Sequence, residues 1–178
     1  MKALFLYSRF TGSSFFIRRL DYIERELSQR FSPFVMKECH NLTELKNATL
    51  EACKSYDYLI FVGGDGTLNT IINYIADEPH KPILGYIPGG TTNDFAKNFH
   101  LKKDVRWAVN NLLKGEVAPF DICKANNRYF AYVLATGVFS EISYSAKRSV
   151  KKRVGSLAYY MMAIKDVFRS HKVSGTLF

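Results

Sequence analysis

The apolar run Tyr58-Leu59-Ile60-Phe61-Val62 stops at Gly63-Gly64-Asp65-Gly66-Thr67 and passes at once into residues spaced for a helix. Leu68, Ile71, Ile72, Ile75 and Ala76 recur at i, i+3, i+4 and i+7, which places them on one helical face. A buried strand that reverses through glycines into an amphipathic helix is one half of a strand–helix–strand unit, and such units stack into a parallel sheet. The glycines do more than permit the bend. Without Cβ atoms the backbone can approach a ligand closely, and the N–H groups and dipole at the start of the helix favour negative charge. A triphosphate suits such a turn.

The rest of the first half repeats this alternation. Ala3-Leu4-Phe5-Leu6-Tyr7 reads as a first strand, and Phe16, Leu20, Ile23 and Leu27 as the apolar face of a helix. A second strand is expected at Phe34-Val35-Met36, a helix around Leu45, Ala48 and Ala52, and a strand over residues 82–87. A second glycine turn follows, Pro88-Gly89-Gly90-Thr91-Thr92-Asn93-Asp94-Phe95. Asp104 is placed to cap a helix with Val105, Ala108, Val109 and Leu112 on one face. The expected fold is therefore α/β, a doubly wound parallel-sheet domain over residues 1–115, with ligand beyond the carboxyl ends of the strands. After Gly115, Phe120-Asp121-Ile122-Cys123 and residues 129–134 flank Ala125-Asn126-Asn127-Arg128 and read as a β-hairpin. Residues 116–178 are expected to start a β-rich second domain, with a basic segment and a helical stretch over 157–168.

With 47% hydrophobic residues, the 178-residue chain can bury a real core. Cys39, Cys53 and Cys123 are odd in number and have no C-x-x-C pair, which argues against a disulfide framework or zinc site and for a reducing cytoplasm. No stretch approaches the roughly 20 apolar residues of a membrane-spanning helix. Residues 100–178 hold 14 basic and 5 acidic residues, and thus the whole net charge of +9. The densest run is Lys147-Arg148-Ser149-Val150-Lys151-Lys152-Arg153, near Tyr144, Tyr159 and Tyr160. A solvated face accounts for any single lysine, whereas the cluster favours an anionic surface.

Asp65, between glycines, suits either a helix N-cap or a carboxylate that holds magnesium or its waters beside phosphates. Thr67 can cap the helix, bond a phosphate, or do both. In the second turn Gly90 and Thr91 offer donors, and Asn93 and Asp94 open a short helix ending near Phe99. Two such turns at the ends of adjacent parallel strands converge on one crevice. Neither a G-x-x-x-x-G-K-[ST] loop nor a G-x-G-x-x-G fingerprint is present, so the commoner nucleotide folds are not signalled.

Gly63-Gly64-Asp65-Gly66-Thr67-Leu68-Asn69 and Gly90-Thr91-Thr92-Asn93-Asp94-Phe95-Ala96 together resemble the paired signatures of the diacylglycerol/sphingosine kinase catalytic-domain family, in its bacterial soluble lipid kinase branch. Phe120-Asp121-Ile122 is similar to the opening of that family's second domain, and Val154-Gly155-Ser156-Leu157-Ala158-Tyr159-Tyr160 also resembles a family segment. The first signature alone is shared with NAD kinases and, in related form, phosphofructokinases; the Asn-Asp-Phe turn is what separates them. The resemblance implies ATP- and Mg2+-dependent phosphorylation of a lipid hydroxyl in a cleft between an α/β and a β-rich domain. It implies nucleotide contacts from Gly12, Gly64, Asp65, Gly66, Thr67, Leu68, Asn69 and Thr91. Asp65, Asp94 and Asp121 would organise magnesium through water.

The first strand ends Ser8-Arg9-Phe10-Thr11-Gly12, where the family usually has Asn-Pro-x-[SA]-G; of that pattern only the glycine is kept. The family's general base, an aspartate in an Asp-Gly-Glu-like turn, is expected beyond Phe178. The leading reading is thus the amino-terminal, nucleotide-binding portion of a cytoplasmic lipid kinase, peripheral at the inner membrane face. Its expected partners are ATP and a lipid substrate at an anionic surface rather than nucleic acid, and a homo-oligomer stays open. Two rivals remain: a non-catalytic nucleotide-binding or regulatory module, and a kinase of a soluble substrate such as NAD.

Overall fold

A computed structural model describes residues 1–8 and 14–133, and Met1–Tyr132 form one compact unit. Gly12, the basic run at 147–153, the 154–160 segment and the helix expected over 157–168 lie outside the described residues. Among the described residues twelve elements follow one another: β1 (Ala3–Tyr7), α1 (Ser14–Ile17), α2 (Leu20–Leu27), β2 (Phe34–Glu38), α3 (Leu42–Ser55), β3 (Tyr58–Gly63), α4 (Asp65–Ile75), β4 (Ile83–Pro88), α5 (Asp94–Asn98), α6 (Val105–Lys114), β5 (Cys123–Ala125) and β6 (Arg128–Phe130). The first four strands form a parallel sheet in the order β2-β1-β3-β4, as the alternation required.

Burial follows from strand position. Every residue of the interior strand β3 is buried, so it reads as one apolar run, whereas the edge strand β2 alternates half-buried and exposed residues. Successive side chains leave opposite faces of a strand. Ala3, Phe5, Tyr58, Ile60 and Val62 pack with Phe16, Ile23, Leu27, Val105, Ala108 and Val109, that is with α1, α2 and α6. Leu4, Leu6, Leu59 and Phe61 pack with Ala48, Ala52, Leu68, Ile71, Ile72, Ile75 and Phe95, from α3, α4 and α5. Helices therefore cover both faces, which makes the domain doubly wound. Arg30 ties α6 to its side of the sheet by donating through Nη1 to the carbonyls of Leu112 (2.7 Å) and Leu113 (2.6 Å) at the helix C-terminus.

Several boundaries differ from the expected ones. The helix drawn through Phe16 and Leu27 breaks at Arg18-Arg19, where the Arg19 N–H bonds the Phe16 carbonyl in a tighter turn and Arg19 leaves helical geometry (φ −125°). Asp104 caps α6 as expected, its Oδ1 accepting the Trp107 N–H at 2.7 Å. The hairpin is shorter than drawn. Its two-residue turn is Asn126-Asn127, with Asn126 at φ 52°, a conformation asparagine tolerates better than most residues. Phe120 joins no strand, because its ring packs instead on Phe95 (centroids 5.3 Å) and Phe99 (6.4 Å).

A two-stranded hairpin is marginal on its own in water. Here α4 supports it. The Asn73 side chain pairs with the backbone of Tyr129 as a neighbouring strand would, donating to its carbonyl (2.7 Å) and accepting its N–H (2.9 Å). The Tyr129 hydroxyl donates to Asp77 and accepts from Lys124 Nζ (3.0 Å). Among the described residues no helix is long and apolar enough to cross a membrane.

Candidate functional site

The two glycine turns meet at the carboxyl ends of β3 and β4, which are neighbours in the sheet. Gly89 N–H donates to the Gly63 carbonyl at 2.7 Å, continuing the ladder one residue past the strands. Beyond it the backbones touch: a Cβ on Gly90 would lie 2.5 Å from Gly64 Cα.

Asp65 does not cap its own helix. Gly64 is the extended N-cap of α4, with no side-chain cap, and Asp65 is the first helical residue. Its carboxylate reaches across to the other turn, where Oδ2 accepts the Asp94 N–H (3.1 Å) and Oδ1 the Phe95 N–H (3.0 Å). These are the first two N–H groups of α5, which helical geometry leaves without carbonyl partners. Asp65 therefore caps α5 from a distance of 29 residues in sequence. The residue at the usual capping position, Asn93, is otherwise engaged. It is buried in the left-handed conformation (φ 51°, ψ 51°), and its amide braces the turn by accepting the Gly90 N–H and donating to the Gly90 carbonyl, each at 2.9 Å. Tyr86 stands beside it, its hydroxyl 3.5 Å from Asn93 Oδ1. Burial, with the Asp65 charge adding to it, raises the Tyr86 pKa further above its ordinary value.

Within α4 the signature residues divide. Asp65 and Gly66 sit in the first turn, where N–H groups lack intrahelical partners, while the N–H groups of Thr67 (3.0 Å) and Leu68 (3.1 Å) already donate to the Gly64 carbonyl. Leu68 points into the core. Gly66 and Thr91 are exposed, and Thr67 and Asn69 are half-buried. Gly66 is the residue that the fold does not explain. A Cβ there would meet nothing within 4 Å, and its φ is not left-handed. Glycine in a helix interior gives up about 0.5–1 kcal/mol against alanine, which is an upper bound for the first turn, and here no packing recovers it.

For magnesium ligated directly by protein, the donor set does not fit. Among the described residues no group of three or more His, Cys, Asp or Glu side chains is placed to hold a metal ion. Both oxygens of Asp65 hold backbone N–H groups, and Asp94 Oδ1 pairs with Lys97 Nζ at 2.8 Å, a bond that raises the lysine's pKa. Asp121 is exposed, on the segment that Phe120 anchors against Phe95.

Sequence reasoning named Asp65 and Asn93 without the contacts by which they lock this junction, and did not name Tyr86. Asn93 carries one local signal, since asparagine is the commonest non-glycine residue at positive φ. Tyr86 and the reach of Asp65 to α5 carry none.

The description "diacylglycerol kinase catalytic domain" matches residues 2–125. The chain is 44% identical over 119 residues to a diacylglycerol kinase of Staphylococcus saprophyticus, covering 65% of this chain and 39% of that protein. It is 43% identical over 122 residues to one of Staphylococcus epidermidis, covering 66% and 39%. The chain thus spans about two fifths of the length of these curated relatives. Among solved structures, a diacylglycerol kinase from Bacillus anthracis str. Sterne superimposes with a TM-score of 0.67 at 28% identity, over 72% of this chain and 47% of that one.

Proposed function

The chain belongs to the diacylglycerol kinase catalytic domain family, and on that premise we propose that it is the nucleotide-binding part of an ATP-dependent lipid kinase. The observation that carries the reading is Gly66. Alanine would fit there and stabilise the helix, so the missing side chain serves what lies outside the fold, a ligand whose phosphates come close to the α4 backbone.

In this reading the first-turn N–H groups of Asp65 and Gly66 bind phosphate oxygens, with Thr67, Asn69 and Thr91 supplying side-chain donors. Gly12, which follows β1 in sequence and lies outside the described residues, would contribute a further nucleotide contact. Leu68 contributes by anchoring α4 in the core. Asp65 and Asn93 hold the two turns at fixed separation, so that donors are in place before charge develops on the transferring group; such preorganisation is a large part of phosphoryl-transfer catalysis. The acceptor hydroxyl oxygen forms its bond to the terminal phosphorus as the bond to the ADP oxygen breaks, and the hydroxyl proton goes to a base. Asp65 is assigned no proton transfer in this reading, because its carboxylate is already committed to capping α5. Magnesium would arrive on the nucleotide phosphates, with Asp65, Asp94 and Asp121 acting through its waters. The hairpin would begin a second, β-rich domain in the division drawn at residue 115, and the basic run at 147–153 would meet an anionic membrane surface.

Titration calorimetry with ATP, ADP and AMP in magnesium tests the reading. Affinity is expected to fall with each phosphate removed, and equal affinity for ATP and AMP would move the nucleotide away from the glycine turns.

A further inference from the structure

We propose that Lys103 is the cation that meets the phosphate chain at the junction of the two glycine turns, a role that no residue of either signature fills. The inference rests on the nucleotide reading above. Residues 63–69 and 89–95 contain no lysine or arginine, and their two side-chain charges, Asp65 and Asp94, are negative. The start of α4 contributes only about half a positive charge. A triphosphate keeps net negative charge even with magnesium on it, and a full positive charge from elsewhere in the fold would offset it.

Two lysines come near. Lys97 is already neutralised by Asp94, at 2.8 Å. Lys103 is different. His100, at φ 55°, turns the chain back after α5, and the Leu101 N–H bonds the Ala96 carbonyl at 2.8 Å, so the following residues return across the second turn. Lys103 Nζ then donates to the Gly90 carbonyl at 2.9 Å, although that carbonyl already accepts from the Asn93 amide. Lys103 is exposed and makes no ion pair among the described residues; the neighbouring Asp104 uses its Oδ1 to cap α6. An ammonium has three donors, and one is engaged, on a neutral group. A full charge with two further donors is therefore fixed on Gly90, the residue whose backbone touches Gly64. Lysine binds phosphate as a point charge, which requires no fixed fork geometry.

Calorimetry on wild type, Lys103→Met and Lys103→Arg, titrated with ATP and with inorganic tripolyphosphate at low and high salt, tests the assignment, with thermal melts alongside. Lys103→Met is expected to bind both ligands roughly ten- to a hundred-fold more weakly, as loss of a charged hydrogen bond implies. The deficit should shrink at high salt, and Lys103→Arg should recover most of the affinity at an unchanged melting temperature. Undiminished binding by Lys103→Met would overturn the proposal. So would equal losses in both variants with lowered melting temperatures, which would make Lys103 a structural tie to Gly90. If wild type binds neither ligand, the nucleotide reading itself fails, and that result is distinct from a wild type that binds and a variant that binds equally.

Discussion

Gly90→Ala is expected to force the two turns apart and to abolish nucleotide binding. The added methyl would lie 2.5 Å from Gly64 Cα, 2.7 Å from Asn93 Oδ1 and 3.2 Å from Gly64 N. No flexible side-chain end is available to yield. Gly64 is backbone held between β3 and α4, and Asn93 Oδ1 is fixed by its bond to the Gly90 N–H. Relief requires moving one turn or breaking the Asn93 brace. Overpacking of this kind costs about 1–3 kcal/mol, and loss of a buried hydrogen bond adds about 1 kcal/mol. Urea denaturation should therefore show a stability loss of roughly 2–4 kcal/mol. A wild-type midpoint would mean that the turns are not in contact as described.

Asp65→Asn is the second large effect, and it separates the carboxylate from a side chain that merely fills the same space. Asparagine has one acceptor oxygen. With that oxygen placed on either the Asp94 or the Phe95 N–H, its own NH2 faces the other, donor against donor. The substitution loses one charge-assisted bond, weakens the other and leaves a partly buried N–H unsatisfied, for a loss of about 2–3 kcal/mol. Nucleotide affinity should fall further than stability alone explains, because α5 and the Gly90 turn lose their registration on α4. A variant that melts with wild type would show that Asp65 does not cap α5, and would return the residue to a role at magnesium alone.

What could be read from the chain alone was whatever is local. The run at 58–62 and the periodicity after it set β3 and α4, and Asp104 signalled the start of α6 because its partner, the Trp107 N–H, is three residues away. The same reasoning offered Asp65 as a cap for its own helix, and there it failed. Capping statistics describe neighbours in sequence, whereas the N–H groups that Asp65 serves are 29 and 30 residues on. Asn73 standing in for a strand beside Tyr129 is hidden for the same reason, at a separation of 56 residues. Phe120 misled in another way. Its apolar character suits a strand equally well, and only the presence of Phe95 and Phe99 decides that burial among rings prevails over pairing. That the two turns converge was legible, since adjacent parallel strands must end side by side. What holds them together was not.

The most direct test of the claim that α4 begins with a bare backbone for the sake of phosphates is Gly66→Ala, measured for stability by denaturation and for ATP affinity by calorimetry on the same preparation. Nothing lies within 4 Å of the new methyl, so the account predicts a protein at least as stable as wild type, with a gain of up to about 0.5–1 kcal/mol, that binds ATP at least roughly ten-fold more weakly because the methyl lies where phosphate must approach. A variant that gains stability and binds ATP as tightly as wild type would contradict the account, since Gly66 would then serve neither the fold nor the ligand.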